Sequence, residues 1–216
     1  MNKLTLDEKQ FVKRNLFGGA LTINVPSEWR DVSEVRQVPD NQEVYQDCTA
    51  DPGQEMELVG TGGCVIVEIL ERQQVSDEEA ASFFFWDLAE TNGIVKDEEK
   101  KKGLSYSQIF DVGVSEDSKT IGSNDKNLMP ALSSKVKACT CIGDQSIGPL
   151  RGQTKTDKSS RVRVELCAVR LVSVETDVLL TLTMPYCSQY DKKLGLSSLL
   201  RYMLGTFKVE DWSLFA

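Results

Sequence analysis

The sequence predicts an α+β fold built on a mainly antiparallel sheet. Strand-like and helix-like stretches are grouped rather than alternating as βαβ units. Two long apolar runs, Arg161–Val174 and Val178–Met184, are separated only by Glu175-Thr176-Asp177, the spacing of a tight hairpin. In the second run Val178, Leu180, Leu182 and Met184 alternate with Thr181 and Thr183, the pattern of an antiparallel strand.

Residues 1–14 are polar and charged and read as an N-terminal extension, with local helix expected over Thr5–Arg14. A single domain is expected over residues 15–216. Gly18-Gly19 opens a strand in which Leu21, Ile23 and Val25 alternate with Thr22 and Asn24, and Pro26 closes it. Ser27–Val38 reads as a loop with a helical turn at Val32–Val35. The turn Pro39-Asp40-Asn41 leads into a short strand at Glu43-Val44-Tyr45. Gln46–Gly63 reads as loop, and Cys64–Leu70 as a strongly apolar strand, central in the sheet.

Ser76-Asp77-Glu78-Glu79 carries a helix start: Ser76 caps, and Glu79 completes a capping box. Ala80, Ala81, Phe84, Phe85 and Leu88 form one apolar face of a helix running to about Thr91, with Gly93 placed to end it. That spacing sends most of the Phe83-Phe84-Phe85-Trp86 cluster to the core. Lys96–Gly103 is a mixed-charge turn and Tyr106–Val114 a further strand. Ser115–Ser134 reads as a long loop, Ser134–Ile142 as strand, and Gly143–Ser160 as a second long polar connection. Leu199, Leu200, Met203, Leu204 and Phe207 make the stripe of a C-terminal helix starting near Ser197, leaving Val209–Ala216 as tail.

Composition narrows the function classes. Lys+Arg total 25 against Asp+Glu 33, a net charge of -8, which argues against direct nucleic-acid binding. No apolar run approaches the ~20 residues of a membrane span, and the N-terminus lacks the apolar core of a secretory signal. The expected location is the nucleus and cytoplasm, and the expected state a monomer.

Six cysteines are present, and Cys139-x-Cys141 has the look of half a zinc site. There is no CxxC pair and no histidine, so two thiols packed on one strand face is the plainer reading. The lack of histidine also removes the commonest general base. Gly60-Thr61-Gly62-Gly63 lacks the Gly-Lys-Ser/Thr of a phosphate loop and precedes a strand. The chain is therefore not expected to be an enzyme. Glu68 interrupts an apolar run and Glu71 stands at its end, either as an acidic patch for a partner's Lys or Arg or as an internal salt bridge with Arg72 or Lys96.

Several segments carry a more specific signature. Leu16-Phe17-Gly18-Gly19-Ala20, Val38-Pro39-Asp40-Asn41-Gln42-Glu43-Val44-Tyr45 and Val65-Ile66-Val67-Glu68-Ile69-Leu70-Glu71 resemble the Mog family of Ran-binding proteins, also called Ran guanine-nucleotide release factors. Ala168-Val169-Arg170-Leu171, Glu175–Leu180 and the terminal Ser213-Leu214-Phe215-Ala216 resemble the family's hairpin and ending. The resemblance implies an α/β/α sandwich of the PsbP-like kind, a six- to seven-stranded sheet flanked by helices. It implies binding of the small GTPase Ran, release of its nucleotide in support of nuclear import, and no cofactor of the chain's own.

The expected Ran-binding residues are Asp40, Glu43, Glu68 and Glu71. If their two strands are neighbours, the four carboxylates are expected to lie close together and to be relieved by a basic partner. Two alternatives differ in class. One is a scaffold of the same fold with another protein partner; the other is a metal or redox protein built on Cys139 and Cys141.

Overall fold

The computed structural model describes residues 10–48, 62–92, 107–115, 129–132, 136–147, 160–185 and 195–216. Among the described residues, ten strands form two antiparallel sheets, accompanied by two α-helices. The strands are β1 Phe11–Leu16, β2 Leu21–Pro26, β3 Trp29–Asp31, β4 Gln42–Asp47, β5 Cys64–Glu71, β6 Ser107–Ser115, β7 Lys137–Ile147, β8 Ser160–Leu171, β9 Thr176–Pro185 and β10 Lys208–Val209. The helices are α1 Ala80–Thr91 and α2 Ser198–Thr206. The larger sheet has seven strands in the order β3-β4-β5-β9-β8-β7-β6, and the smaller has three, β1-β2-β10.

The pleat of the large sheet sorts its side chains into two cores. On one face α1 places Ala80, Ala81, Phe84 and Phe85 against Cys139, Cys141, Val164, Leu166, Ala168 and Leu179. On the other, α2 and the small sheet pack Leu200, Met203, Leu21 and Ile23 against Val65, Val67, Val169 and Leu180. The result is the layered sandwich expected, with a helix on each face of the seven-stranded sheet.

Strands β8 and β9 also carry charge inward, in two ion pairs. On β8, Arg163 and Glu165 are both about 1% exposed; Arg163 Nε lies 3.1 Å from Glu165 Oε1. The Ser197 N–H donates to Glu165 Oε2 at 2.8 Å, which ties the start of α2 to the sheet. On the opposite face Arg170 Nε stands 2.7 Å from Asp177 Oδ1, an ion pair too bent for a linear hydrogen bond, with both side chains fully buried. The Arg170 guanidinium donates to the carbonyls of Gln73, Val75 and Ser76, and Asp177 Oδ2 accepts from Gln73 N–H. Burial pushes the Asp177 carboxyl up, against the pull of Gln73 N–H and Arg170. This pair therefore fixes the link from β5 into α1.

The expected elements are largely present, with five differences, the first being the hairpin turn: it lies at Val172–Glu175 rather than Glu175–Asp177, so Thr176 and Asp177 belong to β9. Phe11–Arg14 belong to strand β1, paired with β2 from Phe11↔Pro26 to Leu16↔Leu21, and are not helical. An edge strand takes its backbone hydrogen bonds from a neighbour, so the polar Lys13 and Asn15 stand on its exposed face, where Lys13 pairs with Glu210 at 3.1 Å. The presumed tail contributes β10, which pairs with Leu21 and Thr22. Strand β3 forms inside the expected loop, with Trp29 fully buried. Strand β7 runs five residues beyond the expected Ile142, to Ile147.

Helix α1 starts at Ala80 after a Ser76–Glu79 turn, with Glu79 N–H donating to Ser76 Oγ at 3.2 Å. Phe84 and Phe85 are buried, whereas Phe83 is 39% exposed and Trp86 half-buried. Helix α2 starts at Ser198, close to the expected Ser197, and Ser197 caps it by accepting Leu200 N–H. Residues 1–9, Gly93, the Lys96–Gly103 turn, Cys187 and most of the two long loops lie outside the described residues.

Replacing Asp177 by Ala leaves the Arg170 guanidinium buried without its counter-charge. The expected loss, read from chemical denaturation, is about 3–5 kcal/mol. A loss below about 1 kcal/mol would show that the pair does not anchor the β5–α1 link.

Candidate functional site

The acidic residues singled out by the sequence sit where β4 meets β5. The two strands are antiparallel neighbours, with Gln42 opposite Glu68 and Glu43 opposite Val67. A β-turn at Pro39–Gln42, closed by Gln42 N–H donating to the Pro39 carbonyl at 2.9 Å, leads into β4 and leaves Asp40 exposed. The Asn41 carbonyl accepts Ile69 N–H at 2.9 Å, which aligns this turn with the end of β5.

Neighbouring strands do not make a single cluster. Directly opposed residues share a face and successive residues alternate, so Glu68 lies on the Gln42 face and Glu43 on the other. The expected juxtaposition of all four carboxylates is corrected by this pleat. Glu68 is half-buried and takes hydrogen bonds from Gln42 Nε2 at 2.7 Å and Asn41 Nδ2 at 3.3 Å. No ion pair joins it to Arg72 among the described residues: Arg72 pairs with Asp77 instead. Glu71 is exposed at the end of β5, and Arg72 N–H donates to the Glu175 carbonyl beside it.

Glu43 has a different task. Its Oε1 accepts the backbone N–H of Phe17 at 2.7 Å, joining β4 to the turn between β1 and β2. That turn is Phe17-Gly18-Gly19, whose φ values are 50°, 67° and 97°. Gly18 and Gly19 hold this backbone without a Cβ penalty, whereas a phenylalanine there needs outside support. Two residues along β4, the Tyr45 ring lies beneath Arg14, 5.6 Å from guanidinium carbon to ring centre. Burial, then the Asp31 and Glu43 carboxylates, push the Tyr45 hydroxyl up to about 12, so it stays protonated.

The C-terminal end closes the other side of the turn. Glu210 and Asp211 both donate their N–H groups to the Ala20 carbonyl, at 2.8 and 3.1 Å. A 3-10 turn at Trp212–Phe215 follows, begun by Asp211 Oδ1 accepting Ser213 N–H at 2.9 Å. Sequence reading placed Gly18-Gly19 at the opening of a strand and singled out the Glu43 carboxylate, but missed the bond from Phe17 N–H to Glu43, which spans 26 residues. It also left Asp211 unremarked, since a lone Asp near a chain end carries no spacing signal.

With this geometry in view, comparison with known proteins is decisive. The sequence profile described as Ran-interacting Mog1 protein matches residues 14–185. The chain belongs to the Mog1 family. A protein named Ran guanine nucleotide release factor, from Danio rerio, is 30% identical over 175 residues, covering 81% of this chain and 78% of its own. Nuclear import protein MOG1 of Saccharomyces cerevisiae is 29% identical over 212 residues, covering 93% and 83%.

The crystal structure of the S. cerevisiae Ran-binding protein Mog1p superimposes with a TM-score of 0.66 at 26% identity, covering 95% of this chain and 98% of that one. Cyanobacterial PsbP from Synechocystis gives a TM-score of 0.52 at 10% identity, covering 97% and 96%, which establishes a shared fold and no more. The layered architecture is thus that of Mog1 and PsbP-like proteins.

Cys139 and Cys141 pack as two buried thiols against α1, the plainer of the two readings. Ala81 N–H donates to Cys139 Sγ at 3.0 Å. Among the described residues no three or more Cys, Asp or Glu gather as a metal site. Burial pushes the Cys139 thiol up to about 11 and Cys167 well above the usual thiol range. A thiol reagent at about pH 8 should therefore label exposed Cys48 in the native protein and spare Cys139 and Cys167, as read by peptide mass mapping. Equal native labelling of Cys139 and Cys48 would contradict this packing.

Proposed function

We propose that the chain binds the small GTPase Ran and promotes release of its guanine nucleotide, acting between nucleus and cytoplasm in support of nuclear import. The observation that carries this reading is the family match over residues 14–185, joined by relatives named Ran guanine nucleotide release factor and nuclear import protein. The local chemistry supports it. Asp40, Glu43, Glu68 and Glu71 put carboxylates on both faces and at the end of the β4–β5 pair. A net charge of -8 favours rapid encounter with a basic surface at low salt.

The action is one of binding. A ligand shifts an equilibrium only by its differential affinity for the two states. Nucleotide release follows if the chain holds Ran more tightly with its nucleotide site open. We assign no bond-making step to the chain, and nucleotide and Mg²⁺ belong to Ran.

Chromatography over immobilised Ran, loaded with GDP, loaded with GTP and nucleotide-free, tests the proposal directly. Retention in at least one state, with faster release of a fluorescent guanine nucleotide, is expected. Passage through all three columns without retention would overturn it. On the same columns Glu68→Lys or Glu71→Lys is expected to fold normally and to weaken binding by about 1–3 kcal/mol. Parental affinity in both variants would remove the β5 carboxylates from the interface.

A further inference from the structure

The turn between β1 and β2 is strained, held from three sides, and open on the fourth. A non-glycine residue at Phe17's φ of 50° is strained, and it persists only where its surroundings over-determine it. Here they do. The Phe17 ring packs on the core, Glu43 takes its N–H, and the Ala20 carbonyl takes two N–H groups from the C-terminal segment.

Such strain is retained at sites that present a fixed surface, and this turn presents one. Between it and the C-terminal 3-10 turn lies a shallow groove of about 350 Å³, lined by Phe17–Ala20, Asp211 and Leu214. The glycine side is bare, with no atom within 4 Å of where a Cβ at Gly18 or Gly19 would stand. The opposite wall ends in Leu214, 36% exposed, with Trp212 nearby in sequence at 42%.

One fixed charge lies in this groove. Asp211 is exposed, and Ser213 N–H holds its carboxyl below the usual carboxylate range, so it is ionised at neutral pH. A bare backbone wall, an apolar rim and one carboxylate suit a long basic side chain. Its methylene stem lies along the apolar rim while its head meets the carboxylate. Glu43 does not line this groove; its Oε1 is committed to the Phe17 N–H behind the turn.

We infer that the groove between the Phe17–Ala20 turn and Asp211–Leu214 receives a lysine or arginine side chain of the GTPase, and that Glu43 is a positioning residue that holds this turn. The inference rests on the Ran-binding reading above and extends it to a surface away from the β5 carboxylates. It also separates two roles for acidic residues: Asp211 meets the partner as a charge, whereas Glu43 acts through the backbone it holds.

The test is the affinity of the full chain for immobilised Ran at low and moderate salt. Glu43→Gln keeps an acceptor for the Phe17 N–H and removes the charge; Glu43→Ala removes both. The Gln variant is expected within about twofold of the parent, and the Ala variant about tenfold or more weaker. Asp211→Asn keeps an acceptor for Ser213 N–H and removes only the charge. It is expected to bind about three- to tenfold more weakly, with a shallower salt dependence.

Equal losses in the Gln and Ala variants would make Glu43 a charge the partner meets and overturn the positioning role. Parental binding by Asp211→Asn would overturn the groove. Both results concern a parent that binds Ran; a parent that fails to bind removes the Ran reading itself, and the inference with it. Should Glu43→Ala not fold, the Gln and Asn variants still decide between these outcomes.

Discussion

The register of β4 on β5 is the constraint from which the candidate surface follows. Once Gln42 stands opposite Glu68, the period-2 pleat sends Glu43 to the other face, toward the small sheet. A slip of one residue would turn Glu43 away from Phe17 and take Tyr45 out of the core it shares with Val65 and Val67. The register is held by Tyr45 packed with Val65 and Val67 on the small-sheet face, by Val44 opposite Ile66 on the other face, and by the Asn41–Ile69 backbone bond at its end. Core packing and the placement of the candidate carboxylates are therefore set by one pairing.

The same economy appears in the buried ions. Arg163 with Glu165 and Arg170 with Asp177 sit on opposite faces of the central strands, and each pair reaches beyond the sheet. Glu165 binds the Ser197 backbone at the entry to α2, and Arg170 binds the carbonyls of the segment entering α1. Buried charge is costly unless paired and hydrogen-bonded, so these pairs contribute less to stability than to location. They specify where each helix begins against the sheet. The arrangement leaves the β4–β5 end and the Phe17 turn at the rim, where side chains face water.

Much of this was legible in the sequence, because most elements are strongly periodic. The alternation in β9, the apolar stripe of α2 and the apolar run of β5 fix element type through local pattern alone. β1 was not legible, because its stability comes from hydrogen bonds to β2 and its residues Val12–Asn15 show no clean alternation. β10 is two residues long and exists only by pairing with β2. At the candidate site, residue types and neighbouring strands could be read, but the face of each carboxylate depends on register. The Glu43–Phe17 bond and the approach of Asp211 to the turn are tertiary facts that no local spacing encodes.

Backbone hydrogen exchange of the chain alone and in the presence of Ran addresses the central claim most directly. Binding through this rim predicts new protection at Phe17–Ala20, at Pro39–Glu43 and in the Asp211–Leu214 segment, with α1 unchanged. New protection confined to α1 and its exposed Phe83, with the rim exchanging as in the free chain, would contradict it.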